Sequence, residues 1–245
     1  MGIDERAGSA GFWFLTGVKG IFSLPAIILM LSFIGFCAFT AQAGMPVEQV
    51  VFMTGIVWAL PAKVILVTSI LGGANLLTAF IAVTLSSIRL MPMVAALVPE
   101  IRTEKTPTWL LLFLSHFIAI TAWVFAMERV QAVPRAHRVS FFAGFSITLV
   151  LANMLLVAVV YRFVEEFPPI VAGCLFFLTP VYFLTSIWSS ARHPVVYVAL
   201  VVGLIAGPLF YWLAPEFDIL LAGLGGGTLA WFAERRFRQH RRGRS

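Results

Sequence analysis

The sequence predicts an all-α fold: a polytopic membrane helical bundle of about eight transmembrane helices. Three observations predict it. The chain of 245 residues is 60% hydrophobic and only 11% charged, its mean hydropathy is +0.97, and several apolar windows reach about 20 residues, the length a helix needs to cross the hydrocarbon core. A soluble domain carries about 25% charged residues, so water is not the solvent for most of this surface. The longest polar connection, residues 128–138, is too short to build a second core. The expected organisation is therefore a single transmembrane domain over 1–245, with a short cytoplasmic N-terminus at 1–20 and a basic cytoplasmic tail at 234–245.

Residues 1–20 lack the basic start, short apolar run and small-residue cleavage site of a signal peptide, so the first span, 21–43, is expected to be retained. Further spans are expected at 47–71, 74–98, 108–127, 139–163, 168–189, 194–213 and 217–233. Cytoplasmic loops collect Lys and Arg. With the N-terminus inside, that side gathers Arg6, Lys19, Arg129, Arg135, Arg138, Arg192 and the six tail arginines, Arg235, Arg236, Arg238, Arg241, Arg242 and Arg244. The outside keeps Arg102, Lys105 and Arg162. Both termini are thus expected in the cytoplasm. The eighth window is short and carries Gly223, Gly225, Gly226 and Gly227; a re-entrant course there would leave seven spans and put the tail arginines outside, against the charge rule. The basic tail reads as an anchor on anionic lipid rather than a nucleic-acid arm, because no folded basic module with interleaved aromatics accompanies it. Cys37 and Cys174 fall in apolar runs and are expected as free thiols acting as small apolar groups.

Two windows share an order of features. The second runs from Pro46 through Gly55 and Pro61 to Thr68-Ser69-Ile70; the sixth runs from Pro168 through Gly173 and Pro180 to Thr185-Ser186-Ile187. An internal repeat is one reading and chance is the other, since Gly and Pro are common in membrane helices. Interrupted helices in corresponding places of two halves point to a transporter's binding site, because freed backbone groups can face a ligand only in a protein-lined cavity. Thr54, Gly55, Trp58 and Pro61 are the site candidates at the first interruption, and Thr179, Pro180 and Tyr182 at the second.

Lys63 and Arg89 sit well inside their windows, where each cation costs roughly 2.5–3.5 kcal/mol on insertion scales. No Asp or Glu lies deep in any window to pair with them. They are the leading candidates for binding the carboxylate of a small solute, with snorkelling of the long side chains to the interface as the competing account. His116 is a proton-relay candidate, since imidazole titrates near physiological pH, or a packing residue. Asn153 lines a pocket or joins helices by hydrogen bonds.

An enzyme is not expected. There is no His-Glu-x-x-His and no Gly-x-Ser-x-Gly, and Gly144-Phe145-Ser146, with His116 or His193 as bases, is a common pattern in Gly- and Ser-bearing helices. Neither a cofactor nor a metal is expected, and no phosphate-binding loop is present.

The run Val51-Phe52-Met53-Thr54-Gly55-Ile56-Val57-Trp58-Ala59-Leu60-Pro61-Ala62-Lys63, the Ser87-Ile88-Arg89 stretch and the later Gly/Pro-bearing spans resemble the large subunit of the AzlC-type branched-chain amino acid exporters, the azaleucine-resistance family. The resemblance covers about residues 17–231. It implies export of branched-chain or similar neutral amino acids across a bacterial inner membrane, driven by a proton gradient, with a separate small membrane subunit of about four spans. The family's Asn-x-Arg-His around the third-span arginine is reduced here to Arg89 between Ser87 and Leu90, and Ser115-His116-Phe117 stands where the family has Thr-Asp-Glu. The expected function is export of a small amino-acid-like solute by alternating access. Transport of another small anion and a non-transporting scaffold subunit are the alternatives.

Overall fold

The computed structural model describes residues 8–190, 194–213, 221–223, 225–229, 231–232 and 235, and among these every regular element is helical. The chain divides into two compact units, Met1–Thr179 and Pro180–Ser245.

In the first unit, α1 (Ala10–Lys19) starts where the Ser9 side chain accepts a hydrogen bond from the Phe12 amide, satisfying one of the amides a helix start leaves free. A single 3-10 turn, Gly20–Phe22, leads into α2 (Leu24–Gln42). The turn after it uses Gly44 at φ +69°, a conformation that favours glycine. Next come α3 (Val47–Ile56), α4 (Leu60–Leu71), α5 (Leu76–Ser87), α6 (Met91–Ile101), α7 (Thr108–Ser115), α8 (Ile120–Arg129) and the central α9 (Arg138–Val160). Helix α10 (Pro169–Ser190) follows, and α11 (Pro194–Leu213) lies in the second unit.

By length and composition, three helical stretches among the described residues can cross a bilayer: Leu24–Gln42, Arg135–Val160 and Val196–Leu213. The pair α5 and α6, bent by 52°, makes up to a fourth. The expected helical membrane bundle is therefore observed, with a correction to its parts: the windows 74–98 and 108–127, expected without a break, are each broken in two, and 47–71 is broken at its expected interruption. The breaks fall at 57–59, at the 3-10 turn Ile88–Leu90, and at 116–119. Pro61 explains the first. A helix continued through it would set the proline ring against the Val57 carbonyl and leave that carbonyl without a donor. The break before Pro61 puts the proline at the start of α4, where its missing N–H is not needed. Pro180 behaves differently, since α10 stays helical across it. The expected interruption of the sixth window is thus not observed, and the two windows share their entrance after Pro46 and Pro168 but not the break.

The core of the first unit is built on α9. A Cβ added to Gly17 would overlap the Phe141 carbonyl, and one added to Gly144 would overlap the Phe14 carbonyl, so α1 and α9 touch backbone to backbone at paired small residues, as membrane helices do. Phe125 of α8 stacks on Phe145 with ring centroids 3.7 Å apart, and on Phe141 at 5.7 Å. At the other end of α9, the Tyr161 hydroxyl donates to the Met45 carbonyl.

These contacts correct the expected topology. Glu100, at the end of α6, accepts from the Arg138 guanidinium at 3.4 Å, and its carbonyl accepts from the same guanidinium at 2.9 Å. Glu100 and its followers Arg102 and Lys105, expected outside, therefore lie on the same side as Arg135 and Arg138, at the opposite end of α9 from Met45. Residues 45–100 make one net crossing where two were expected. The fourth window does not cross at all. Its midpoint, His116, reaches Gly55 at 3.0 Å, and Gly55 abuts Met154, about 24 Å along α9 from Arg138. For α7 to descend from the far side, Thr108 would start about 12 Å beyond that level, some 36 Å from Glu100, yet eight residues reach at most about 29 Å. α7 instead rises from the Glu100 side, and α8 returns to Phe141 and Phe145. Residues 108–129 thus form a helical hairpin whose tip, at His116, reaches Gly55, and we read it as re-entrant.

The topology has a direct test. In a chain with Cys37 and Cys174 replaced by Ala, single cysteines at Lys105 and Ala136 are expected to react with an impermeant maleimide from one face of the membrane and a cysteine at Gln42 from the other. Reaction of the Lys105 position together with Gln42 would restore the eight-span course.

In the second unit, Trp188 packs edge-on against Tyr197 at 4.9 Å, and Gly226 lies against Val202. Gly203 and Gly207 have no atom of the described residues near the place a Cβ would take. The window 217–233 is described only in part, and the tail beyond Arg235 lies outside the described residues.

Candidate functional site

The break at 57–59 positions the site. α3 ends at Ile56 and α4 begins at Leu60, so the last carbonyls of one half-helix and the first amides of the next have no helical partners. The Gly55 carbonyl is taken up from outside the helix: His116 Nε2 lies 3.0 Å from it. The tip of the re-entrant hairpin thus caps the broken helix. Met154 of α9 closes the same place, its Sδ 3.1 Å from the position of a Gly55 Cβ.

One turn into α4, Lys63 is completely buried. Its Nζ has no hydrogen-bond partner among the described residues. It lies 4.0 Å from the centroid of the Phe33 ring, 5.6 Å from that of Phe36 and 5.7 Å from that of Trp58. Ring faces are negative, so three of them around an amino group do part of what water or a carboxylate would do. The box is itself held together: Phe33 and Trp58 stack at 6.1 Å, and Phe33 and Phe36 meet edge to face at 6.2 Å. Trp58 owes its place to the break, since it is the middle of the three non-helical residues and its side chain is buried. Its Nε1 is also without a partner among the described residues. Lys63 therefore does not snorkel; its side chain ends in the interior.

Of the residues expected at the first interruption, the structure brings Lys63 and Trp58 together and puts Gly55 just before them. Thr54 is buried, but its hydroxyl donates to the Val50 carbonyl of its own helix at 2.8 Å and so is already engaged. Pro61 shapes the break from an exposed position on α4 and does not face the box. Arg89 stands in the turn between α5 and α6, and Thr179, Pro180 and Tyr182 stand on α10; the side chains of all four lie outside the described residues. Phe33 and Phe36, three residues apart and so on one face of α2, are the neighbours of Lys63 that sequence reasoning missed. The spacing was visible, but in a chain with 23 phenylalanines it is not distinctive.

Asn153, beside Met154, is fully buried and donates to the Leu149 carbonyl at 2.7 Å, while its Oδ1 has no partner among the described residues. Ser146 is buried too, and about 12 Å of α9 separates it from the level where His116 sits, so His116 is not placed as its base; His193 lies outside the described residues. An open groove of about 320 Å³ in the second unit is lined by Gly223, Gly227, Thr228 and Trp231, none of them an expected site residue.

Residues 25–164, more than half of the chain, match the family described as AzlC protein. No curated protein and no solved structure matches the chain.

Proposed function

The chain belongs to the AzlC family, and from that premise we infer that this multi-pass membrane protein is a transporter subunit exporting small amino-acid-like solutes, branched-chain amino acids first among them. The observation that carries the reading is Lys63: a lysine buried at a helix break with neither a carboxylate nor a hydrogen-bond partner among the described residues. An isolated amino group in the interior costs free energy that packing alone would remove, and a solute carboxylate is the counter-group that makes the arrangement useful. The free amides at the start of α4 favour the same anion.

In this reading Lys63 and Arg89 bind the carboxylate, and Gly55 and Trp58 shape the cavity. Thr54, Pro61 and Thr179 complete the site as transport proceeds. His116, bonded to the freed Gly55 carbonyl, carries the coupling proton. The site is sealed as described, since Lys63 has no exposed surface; this is the occluded state of an alternating-access cycle, opened when the hairpin 108–129 moves off the broken helix. The protein works in a bacterial inner membrane with both termini cytoplasmic, its basic tail resting on anionic lipid, and with a small four-span membrane subunit. Arg102 and Lys105 add to the cytoplasmic cations once the corrected course is adopted, which supports that orientation.

The test is efflux of labelled valine, leucine, isoleucine and methionine from preloaded cells, with and without a coexpressed small membrane subunit. Faster efflux of at least one branched-chain solute is expected. Absence of any response with the small subunit present would leave the scaffold role.

A further inference from the structure

We propose that the Phe33, Phe36 and Trp58 box is the receptor for the ammonium end of a zwitterionic solute, and that Lys63 occupies it as a tethered stand-in until the solute arrives. The proposal rests on the reading of this chain as an amino-acid exporter and names which end of the solute each wall takes. Lys63 Nζ is held over Phe33 at 4.0 Å with Phe36 and Trp58 behind it, and no oxygen or nitrogen among the described residues bonds to it. A lysine that had only to meet a carboxylate would not need three ring faces. A box of ring faces takes any alkylammonium, because the attraction acts on the charge and not on a directed hydrogen bond.

The carboxylate and ammonium of an amino acid are neighbours on one carbon. When the solute ammonium enters the box, Lys63 is displaced by only the few ångströms that bring its own amino group onto the solute carboxylate. The exchange keeps an amino group in the box throughout and gives the displaced Lys63 a carboxylate to meet. Trp58 sits in the non-helical stretch 57–59, where the Ala59 carbonyl accepts from the Lys63 amide at 3.1 Å, so the wall and the lysine are tied to the same break. A carboxylate without an ammonium leaves Lys63 held in the box, and an ammonium without a carboxylate meets an occupied box.

The test uses the full-length protein in lipid nanodiscs and three labelled probes: leucine, 3-methylbutylamine, which lacks the carboxylate, and 4-methylpentanoate, which lacks the amine. Wild type is expected to bind leucine and to hold both single-ended probes weakly. Lys63→Met empties the box and is expected to raise affinity for 3-methylbutylamine on the order of tenfold, the scale of a desolvated cation–π contact. The double variant Lys63→Met with Phe33→Leu is expected to lose that gain while remaining monodisperse. If Lys63→Met binds the amine no better than wild type, or if Phe33→Leu leaves the gain intact, the box is not an ammonium receptor. Failure of wild type to bind leucine would instead count against amino-acid export, and the amine measurements would still decide the box.

Discussion

Cells carrying Lys63→Met are expected to lose leucine efflux down to the level of cells without the protein, while the purified variant resists denaturant better than wild type. The two signs come from one feature. Lys63 is completely buried and has no hydrogen-bond partner among the described residues, and a polar nitrogen in that position costs free energy in either protonation state. The rings of Phe33, Phe36 and Trp58 return only part of that cost. Methionine fills nearly the same volume without the amino group, so it leaves no cavity. Replacements of buried ionic groups by well-packed apolar ones are neutral or stabilising by about 1–4 kcal/mol. A lysine kept for packing would give the reverse pattern, with efflux intact and stability lowered. Efflux at matched membrane levels, together with denaturant unfolding in detergent, separates the two; retained efflux with lowered stability would remove Lys63 from the site.

Gly17→Leu and Gly144→Leu are expected to cost about 3 kcal/mol each, at the upper end for overpacking, and to deplete the folded protein from membranes. At both positions the atom that a Cβ would overlap belongs to the facing backbone, which cannot swing aside as a side chain can. The helices α1 and α9 would have to separate along the contact that anchors the N-terminal helix. Gly11→Leu is the matched control. It lies on the same helix α1 and meets no neighbouring atom, so only the helix preference for Leu over Gly acts there, stabilising by roughly 0.8 kcal/mol. Thermal unfolding of the three variants is expected to order them as Gly11→Leu first and the other two far below. Equal stability of Gly17→Leu and Gly11→Leu would overturn the close crossing.

The apolar windows placed nearly every helix because hydropathy reports the solvent, and the solvent here is lipid. The break before Pro61 was legible for a steric reason carried by one residue. Its counterpart at Pro180 was not observed, since a proline in a membrane helix is compatible with either outcome. The course of 108–129 was not legible. Twenty apolar residues match the thickness of the bilayer whether they cross it or turn back, and the deciding contact, Glu100 with Arg138, joins positions far apart in the chain. The charge rule had even argued the other way, because Arg102 and Lys105 are few enough to be tolerated outside. The burial of Lys63, and with it a candidate site, was legible from its depth in an apolar window. The walls around it were not, because Phe33 and Phe36 belong to a different helix and carry no mark that separates them from other phenylalanines.

The re-entrant hairpin bears on how the chain is made. Phe125 of α8 packs on Phe141 and Phe145, residues synthesised some twenty positions later, so when α8 leaves the ribosome its partners do not yet exist. Until α9 follows, the hairpin is apolar enough to enter lipid but lacks the ring contacts that hold α8 in place. The order of synthesis makes α9 the element on which assembly of this region depends, and a chain truncated before Arg138 is one whose fourth apolar segment has lost its reason to turn back.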